Sequence, residues 1–303
     1  MKRFVAFIIC LLTIFSLASC DILNFIGLTD PLETTGYLRC DKDGKKSRSG
    51  DYLLFGEYPQ SLKADEVTVS NETNELGYFL GSDGEYYARV ISTPYAEGYT
   101  FANGSAVESG EMYYFKVEPI RWRILSEGED YALVLCDSII DSVAFSTAKS
   151  NNYGYSTIRE WLSGQFYYTA FTKLQQELMI FDEIDNSSTT TGVSPNPYFC
   201  YDTTDSIFLL SYSEIANTEY GFNADATAYD EMRRLLTSDY ARATGVLMKT
   251  DADYYGNGTW WLRSPRADKA NGAWRVDTKG GVDNGVTSSA QYGVAPALRI
   301  KLK

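Results

Sequence analysis

Enzymes move protons, hold metals or attack carbonyls with a small set of side chains, and this sequence lacks the most versatile of them, because it contains no histidine. That absence excludes Ser-His-Asp and Cys-His nucleophiles and every histidine-ligated metal. Acids are plentiful, with 40 Asp and Glu against 27 Lys and Arg, so a carboxylate pair for glycoside hydrolysis is available in principle. No pair stands out by its context, and abundant acids on a protein read as a solvated surface. Aromatic residues are the richer resource. There are 24 tyrosines, and Tyr153, Tyr155, Tyr198, Tyr201, Tyr254, Tyr255 and Tyr292 fall in stretches rich in Gly, Asn and Ser. Flat rings in polar loops stack on sugar faces or anchor a protein partner at small entropic cost; rings of the same kind also pack loops while their hydroxyls face water.

A second concentration lies at Trp260-Trp261-Leu262-Arg263. Neighbours in a strand point to opposite faces, so one indole is expected in the core and the other exposed or under a loop. Arg263 shares the side of Trp261 and can pair with Asp277 or Asp283, either as a ligand clamp or as a buried structural ion pair. Tyr254, Tyr255, Trp260, Trp261, Arg263 and Tyr292 are therefore the ligand-binding candidates. Asp251 and Asp253 offer oxygens to calcium, but Leu262 stands where an EF-hand places its acidic twelfth ligand. Asp41-Lys42-Asp43-Gly44 fails the same test, since Arg39 takes the first ligand position. Calcium is thus unsupported by a specific motif, and no other cofactor is implied.

Three cysteines remain once Cys10 and Cys20 are set aside: Cys40, Cys136 and Cys200. Their number cannot pair completely and their spacing matches no zinc pattern. Cys136 follows an apolar run and is expected to be a buried thiol.

These groups must be carried by a body, and the chain opens with an address for it. Lys2 and Arg3 precede an apolar run over residues 4–17, then Ala18, Ser19 and Cys20, which is the layout of a signal peptide. Leu17-Ala18-Ser19-Cys20 resembles the lipobox of bacterial lipoproteins, which implies Cys20 as the lipid-attachment site and the membrane as a partner through an N-terminal anchor. The expected location is the bacterial cell membrane or outer surface, with the body exported. The formal charge of -13 becomes more negative when Lys2 and Arg3 are removed, and such a body repels nucleic acid and anionic lipid unless a basic patch is hidden in the fold. Residues 1–19 read as the signal, 20–50 as a flexible tether, and 51–303 as one α+β domain in which 62–110 reads as an inserted segment.

Within the body, a strand beginning at Tyr52 is expected to stop at Gly56 and Pro59, and residues 86–91 read as another. Ile120, Trp122 and Ile124 alternate with Arg121 and Arg123, which predicts a strand with one apolar and one basic face, paired in a hairpin with residues 131–135. Helix starts are signalled by Ser156 or Thr157, by the capping boxes Thr172/Gln175 and Ser211/Glu214, and by residues 238–244 closed by Gly245. Residues 225–236 give no clear pattern. Short strands return after residue 259 and end in one that runs to the C-terminus, so the sheet is expected to close only when residue 300 is in place. Strands, then helices, then strands define an α+β domain.

Six blocks carry a family resemblance: Phe55-Gly56-Glu57-Tyr58-Pro59-Gln60, Pro119-Ile120-Arg121-Trp122-Arg123-Ile124-Leu125, Ile158-Arg159-Glu160-Trp161-Leu162, Ile207-Phe208-Leu209-Leu210-Ser211, Trp260-Trp261-Leu262-Arg263-Ser264-Pro265 and Gly293-Val294-Ala295-Pro296-Ala297-Leu298. In that order, over about residues 52–302, they resemble a widespread bacterial domain of unknown function, family 6273. That family often carries Arg where this chain has Ala295. The last two blocks are also distantly similar to the C-type-lectin-like fold shared with formylglycine-generating enzymes, which implies a long irregular region beside a small twisted sheet. The oxidase chemistry of those enzymes uses a cysteine pair, and no cysteine follows Cys200.

The expectation from sequence is a surface-anchored lipoprotein with a noncatalytic lectin-like domain, its ligand a glycan or other envelope material. A structural or adhesive protein-interaction module ranks second and an envelope enzyme third.

Overall fold

The computed structural model describes residues 36–302. The signal segment, the lipid-attachment candidate Cys20 and the first part of the tether lie outside the described residues. Strand outweighs helix, and the class is α+β. The backbone of the architecture is the sixteen-residue strand Met112–Glu127. Along one edge it pairs antiparallel with Tyr52–Leu62, matching Tyr52 to Arg123 and Leu62 to Phe115. Its other edge is shared, Tyr86–Ile91 taking the first half and Tyr131–Cys136 the second. From there a nine-stranded sheet continues to Ala297–Lys301 and Ile207–Phe208 in one direction and to Phe79–Gly81 and Val69–Thr73 in the other.

The terminal strand Ala297–Lys301 is an interior strand, bonded to Tyr131–Cys136 and to Ile207–Phe208. This agrees with the late closure expected from sequence. The predicted hairpin is present too, with Trp122 opposite Cys136 and Ile124 opposite Val134. Trp122 is fully buried and donates its indole N–H to the Phe55 carbonyl at 2.7 Å. Arg123 departs from expectation. It is buried rather than solvent-facing, because residues 222–232 cover it: its Nη2 donates to the Met232 carbonyl at 2.7 Å and its guanidinium lies 5.6 Å from the Phe222 ring centroid.

Order begins earlier than residue 51. Leu38–Cys40 pairs with Tyr52–Leu62 and Cys40 is fully buried, so residues 36–50 are part of the folded body rather than of a free tether. The strand Tyr52–Leu62 also runs through Gly56 and Pro59 instead of stopping. A register irregularity between Leu54 and Glu57 absorbs the break, with Gly56 at φ +72° where any Cβ would overlap the Phe171 ring. Residues 62–110 supply three strands of the large sheet, and Tyr99, Phe101 and Val107 form a core with Phe115, Ala243 and Met248. The segment is therefore integrated into the body.

A second sheet of five strands, ordered Val282–Val286, Gly272–Val276, Trp260–Pro265, Gly293–Val294 and Asp141–Ser142, stands beside the first. Between the sheets runs a helical segment, Thr157–Trp161, continued by a π-turn at Leu162–Phe166 and by Tyr167–Ala170. Its Ile158, Leu162 and Phe166 pack with Phe55, Trp122 and Trp261 in the largest apolar core. Lys173–Leu178 follows, started by the full Thr172/Gln175 capping box. Among the described residues no helix is long and apolar enough to cross a membrane.

Candidate functional site

Turn chemistry brings two distant tyrosines together. The turn Tyr153–Tyr155 precedes Ser156, whose Oγ accepts from the Arg159 N–H at 3.2 Å and donates to the Tyr153 carbonyl at 2.8 Å. This cap fixes the helix start and therefore the place of Arg159. Opposite it, Thr203–Asp205 pairs with Asp182–Ile184. Arg159 joins the two walls, with Nε donating to Asp205 Oδ1 at 2.7 Å and Nη1 to the Gly154 carbonyl at 3.0 Å. Asp205 takes a further bond from Thr203 Oγ1 at 2.6 Å. Asn186 ties the 201–203 wall, its N–H donating to Asp202 Oδ1 at 2.8 Å and its Nδ2 to Thr203 Oγ1 at 3.0 Å.

The result is an open groove of about 600 Å³ lined by Asn152, Gly154, Arg159, Cys200, Asp202 and Thr204 together with three rings. Tyr155 is 91% exposed, Tyr201 89% and Phe199 47%. Inside the groove the Asn152 Oδ1 is shielded from solvent yet has no hydrogen-bond partner. Burial pushes the Cys200 thiol above its ordinary value, which disfavours the thiolate a nucleophile needs. Asp205, behind the groove wall, is committed to Arg159 and Thr203, whereas Asp202 lines the groove and is exposed, its Oδ1 accepting from the Asn186 N–H. The groove offers stacking faces, amide and hydroxyl groups, and a fixed cation.

The residues singled out from sequence are dispersed. Trp260 and Trp261 do point to opposite faces, but both are fully buried, because each face of the five-stranded sheet carries a core. Trp260 donates to the Arg233 carbonyl at 3.1 Å; Trp261 donates to the Val143 carbonyl at 3.0 Å and packs edge-on against Tyr292 at 4.8 Å. Neither indole presents a face to a ligand. Arg263 is buried as an ion pair with Glu214 rather than with Asp277 or Asp283. It also donates to the carbonyls of Leu209 at 2.7 Å and Asp185 at 3.1 Å. Burial alone would raise the Glu214 carboxyl, but the Arg263 charge and hydrogen bonds outweigh it and hold the group below its usual range. Asp283 pairs instead with Arg275, and Asp277 accepts the N–H groups of its own turn.

Tyr292 is held between Trp261 and the Arg275 guanidinium, 4.6 Å from its ring centroid. Tyr254 lies near Arg234 and Lys279, and Tyr255 bonds the Thr100 hydroxyl. Asp251 is exposed beside Lys249 Nζ at 3.6 Å. Among the described residues no group of three or more Cys, Asp or Glu is placed to hold a metal ion. Tyr155 and Tyr201, the two rings that do meet at a groove, were visible in the sequence only as members of the loop-tyrosine set. They lie 46 positions apart, and no local signal joins them.

The sequence model of one protein family, described as a domain of unknown function (DUF6273), matches residues 129–302. The chain belongs to this family. The matched span includes the helical segment, both walls of the groove and the five-stranded sheet, whereas the blocks at residues 55–60 and 119–125 fall before it. No curated protein and no solved structure matches the chain.

Proposed function

We propose that this DUF6273 protein is a surface-anchored lipoprotein whose body is a noncatalytic, lectin-like module that binds glycans of the cell envelope or its surroundings. The observation that carries the reading is the pair of nearly fully exposed rings, Tyr155 and Tyr201, at the mouth of a polar groove whose Arg159–Asp205 floor is already locked. Packing does not account for rings held in solvent, since the large aromatic cores lie elsewhere. Sugars present apolar C–H faces edged by hydroxyls, and Tyr rings beside Asp202, Thr204 and Asn152 match both features. The lectin-like architecture is supported by the mostly irregular region 185–258 beside the five-stranded sheet. The lipid anchor is supported by the Leu17-Ala18-Ser19-Cys20 sequence.

A ring covering roughly 50 Å² of sugar face, at ~25 cal/mol per Å², contributes about 1.3 kcal/mol, which is about tenfold in affinity. The test is titration of the detergent-purified chain with a panel of glycans and cell-wall fragments, comparing Tyr155→Ala and Tyr201→Ala. Replacement of side chains this exposed leaves stability within about 0.5 kcal/mol. Saturable binding weakened about tenfold by each change supports the proposal. Binding indifferent to both changes refutes the assignment of this groove.

A further inference from the structure

The body has a second exposed aromatic cluster, at the other end of the helical segment. Tyr167 packs edge-on against Tyr168 at 5.1 Å and against Phe181 at 6.2 Å. Tyr168 is 67% exposed and Phe181 61%, and the half-buried Tyr167 joins them to the core. The groove is not their site, since Tyr168 lies eleven helical residues beyond Thr157, about 16 Å along the axis at 1.5 Å per helical residue.

The described chain enters the fold at this same end. The Gly36 carbonyl accepts from Gln175 Nε2 at 3.0 Å, and Gly36 sits against Leu178 so closely that a Cβ there would come within 2.7 Å of it. Gln175 and Leu178 belong to the helix Lys173–Leu178, which also touches the aromatic cluster through Gln176 Nε2 and the Tyr167 carbonyl at 3.4 Å. Lys173 is the exposed first residue of this helix, and Lys301 donates to the Glu177 carbonyl at 3.2 Å. One short helix therefore holds the chain entry, the exposed rings and flanking lysines together.

We infer that the Tyr167, Tyr168 and Phe181 surface rests in the headgroup region of the bilayer that carries the anchor, turning the Tyr155/Tyr201 groove away from the membrane. The inference rests on the lipid-anchoring reading above. Cys20 precedes Gly36 by sixteen residues, and the chain from it joins the body at Gly36, beside the helix that carries the rings and not beside the groove. An anchored lipid thus holds this end of the body nearest to the bilayer. Tyr rings favour the boundary where one edge is apolar and the hydroxyl is wet, and long lysines beside them reach the headgroups. The opposite end then projects its groove toward soluble or cell-wall glycans.

The test uses the full processed chain in vesicles of phosphatidylcholine, whose zero net charge does not repel the acidic body. Tyr168→Cys, Phe181→Cys and, at the far end, Tyr155→Cys are each labelled with an environment-sensitive dye; Cys40, Cys136 and Cys200 are buried. Expected are quenching of the dyes at 168 and 181 by doxyl-labelled lipid, and iodide quenching there about threefold weaker than at 155. Iodide quenching equal at all three positions, with the chain still retained on vesicles, overturns the orientation and leaves the anchor standing. Protection of 168 and 181 from both quenchers also overturns it, because protein rather than lipid would then cover the rings. The anchor is checked separately by mass and by release of Cys20→Ser from vesicles. A wild-type chain without lipid overturns both readings.

Discussion

Replacing Asp141 by Asn removes a carboxyl group that burial has made hard to ionise. Asp141 is 7% exposed, and desolvation lifts it from 3.8 to about 6 even though Tyr58, the Ser142 N–H and Thr244 all donate hydrogen bonds to it. Tyr58 and Tyr240, which pack beside it, are themselves pushed up by burial and then by the Asp141 charge, and stay neutral. An acid whose pKa is higher in the folded than in the unfolded chain binds its proton more tightly when folded. Its contribution to stability is therefore full below about 3.8 and is lost as pH rises through about 6. Between pH 4 and pH 7 the loss comes to roughly 2–3 kcal/mol at 1.36 kcal/mol per pKa unit. Asn at this position cannot ionise. Carboxylates held low elsewhere, such as Glu214 and Glu127, act in the opposite sense but are common to both proteins and cancel in the difference. Thermal melting of wild type and Asp141→Asn across this range is the assay. The wild-type Tm is expected to fall relative to the variant by roughly 5–10 °C between pH 4 and pH 7. Parallel curves over that window would refute the linkage of Asp141 to folding.

Two further outcomes follow from the buried groups. Arg263→Met removes the counter-charge of the Glu214 carboxylate, which keeps the Ser211 N–H, and the Arg263 donor of the Leu209 and Asp185 carbonyls; urea unfolding is expected to show a loss of about 3–5 kcal/mol, and a loss under ~1 kcal/mol would contradict a structural role for the pair. Burial raises the Cys136 thiol to about 12, so peptide-level alkylation at pH 8 should mark this residue only after denaturant is added. Modification in the native protein would contradict its enclosure.

Local signals in the sequence carried over to the structure where the physics is local. The Thr172/Gln175 box, the Ser156 and Ser238 caps and the left-handed Gly245 stop are all formed. So is the hairpin between Met112–Glu127 and Tyr131–Cys136. The Ser211/Glu214 box also forms both of its bonds, yet only the single turn Glu214–Ala216 follows it before Asn217 turns extended. Alternation misjudged Arg123, since it assigns faces but does not say what covers each face; it did set the two indoles on opposite faces, and the irregular segment with Phe222, Arg233 and Leu235 covers Trp260. In residues 225–236 no periodicity existed to be read: the chain wraps a fully buried Arg233, whose guanidinium holds the carbonyls of Ile215, Asp225 and Ala228. The groove was illegible for a related reason. Tyr155 and Tyr201 meet only through Arg159, Asp205 and the pairing of Thr203–Asp205 with Asp182–Ile184, all of which are long-range contacts.

The most direct test of the central claim is glycan titration of the wild-type chain beside Tyr155→Ala, Tyr201→Ala and the double variant, with folding monitored in parallel. Saturable binding to at least one glycan or cell-wall fragment is expected, about tenfold weaker for each single change and about a hundredfold weaker for the pair. Saturable binding that survives in the double variant would contradict the groove as the site, and an absence of binding across the whole panel by the folded wild type would contradict a glycan-binding function.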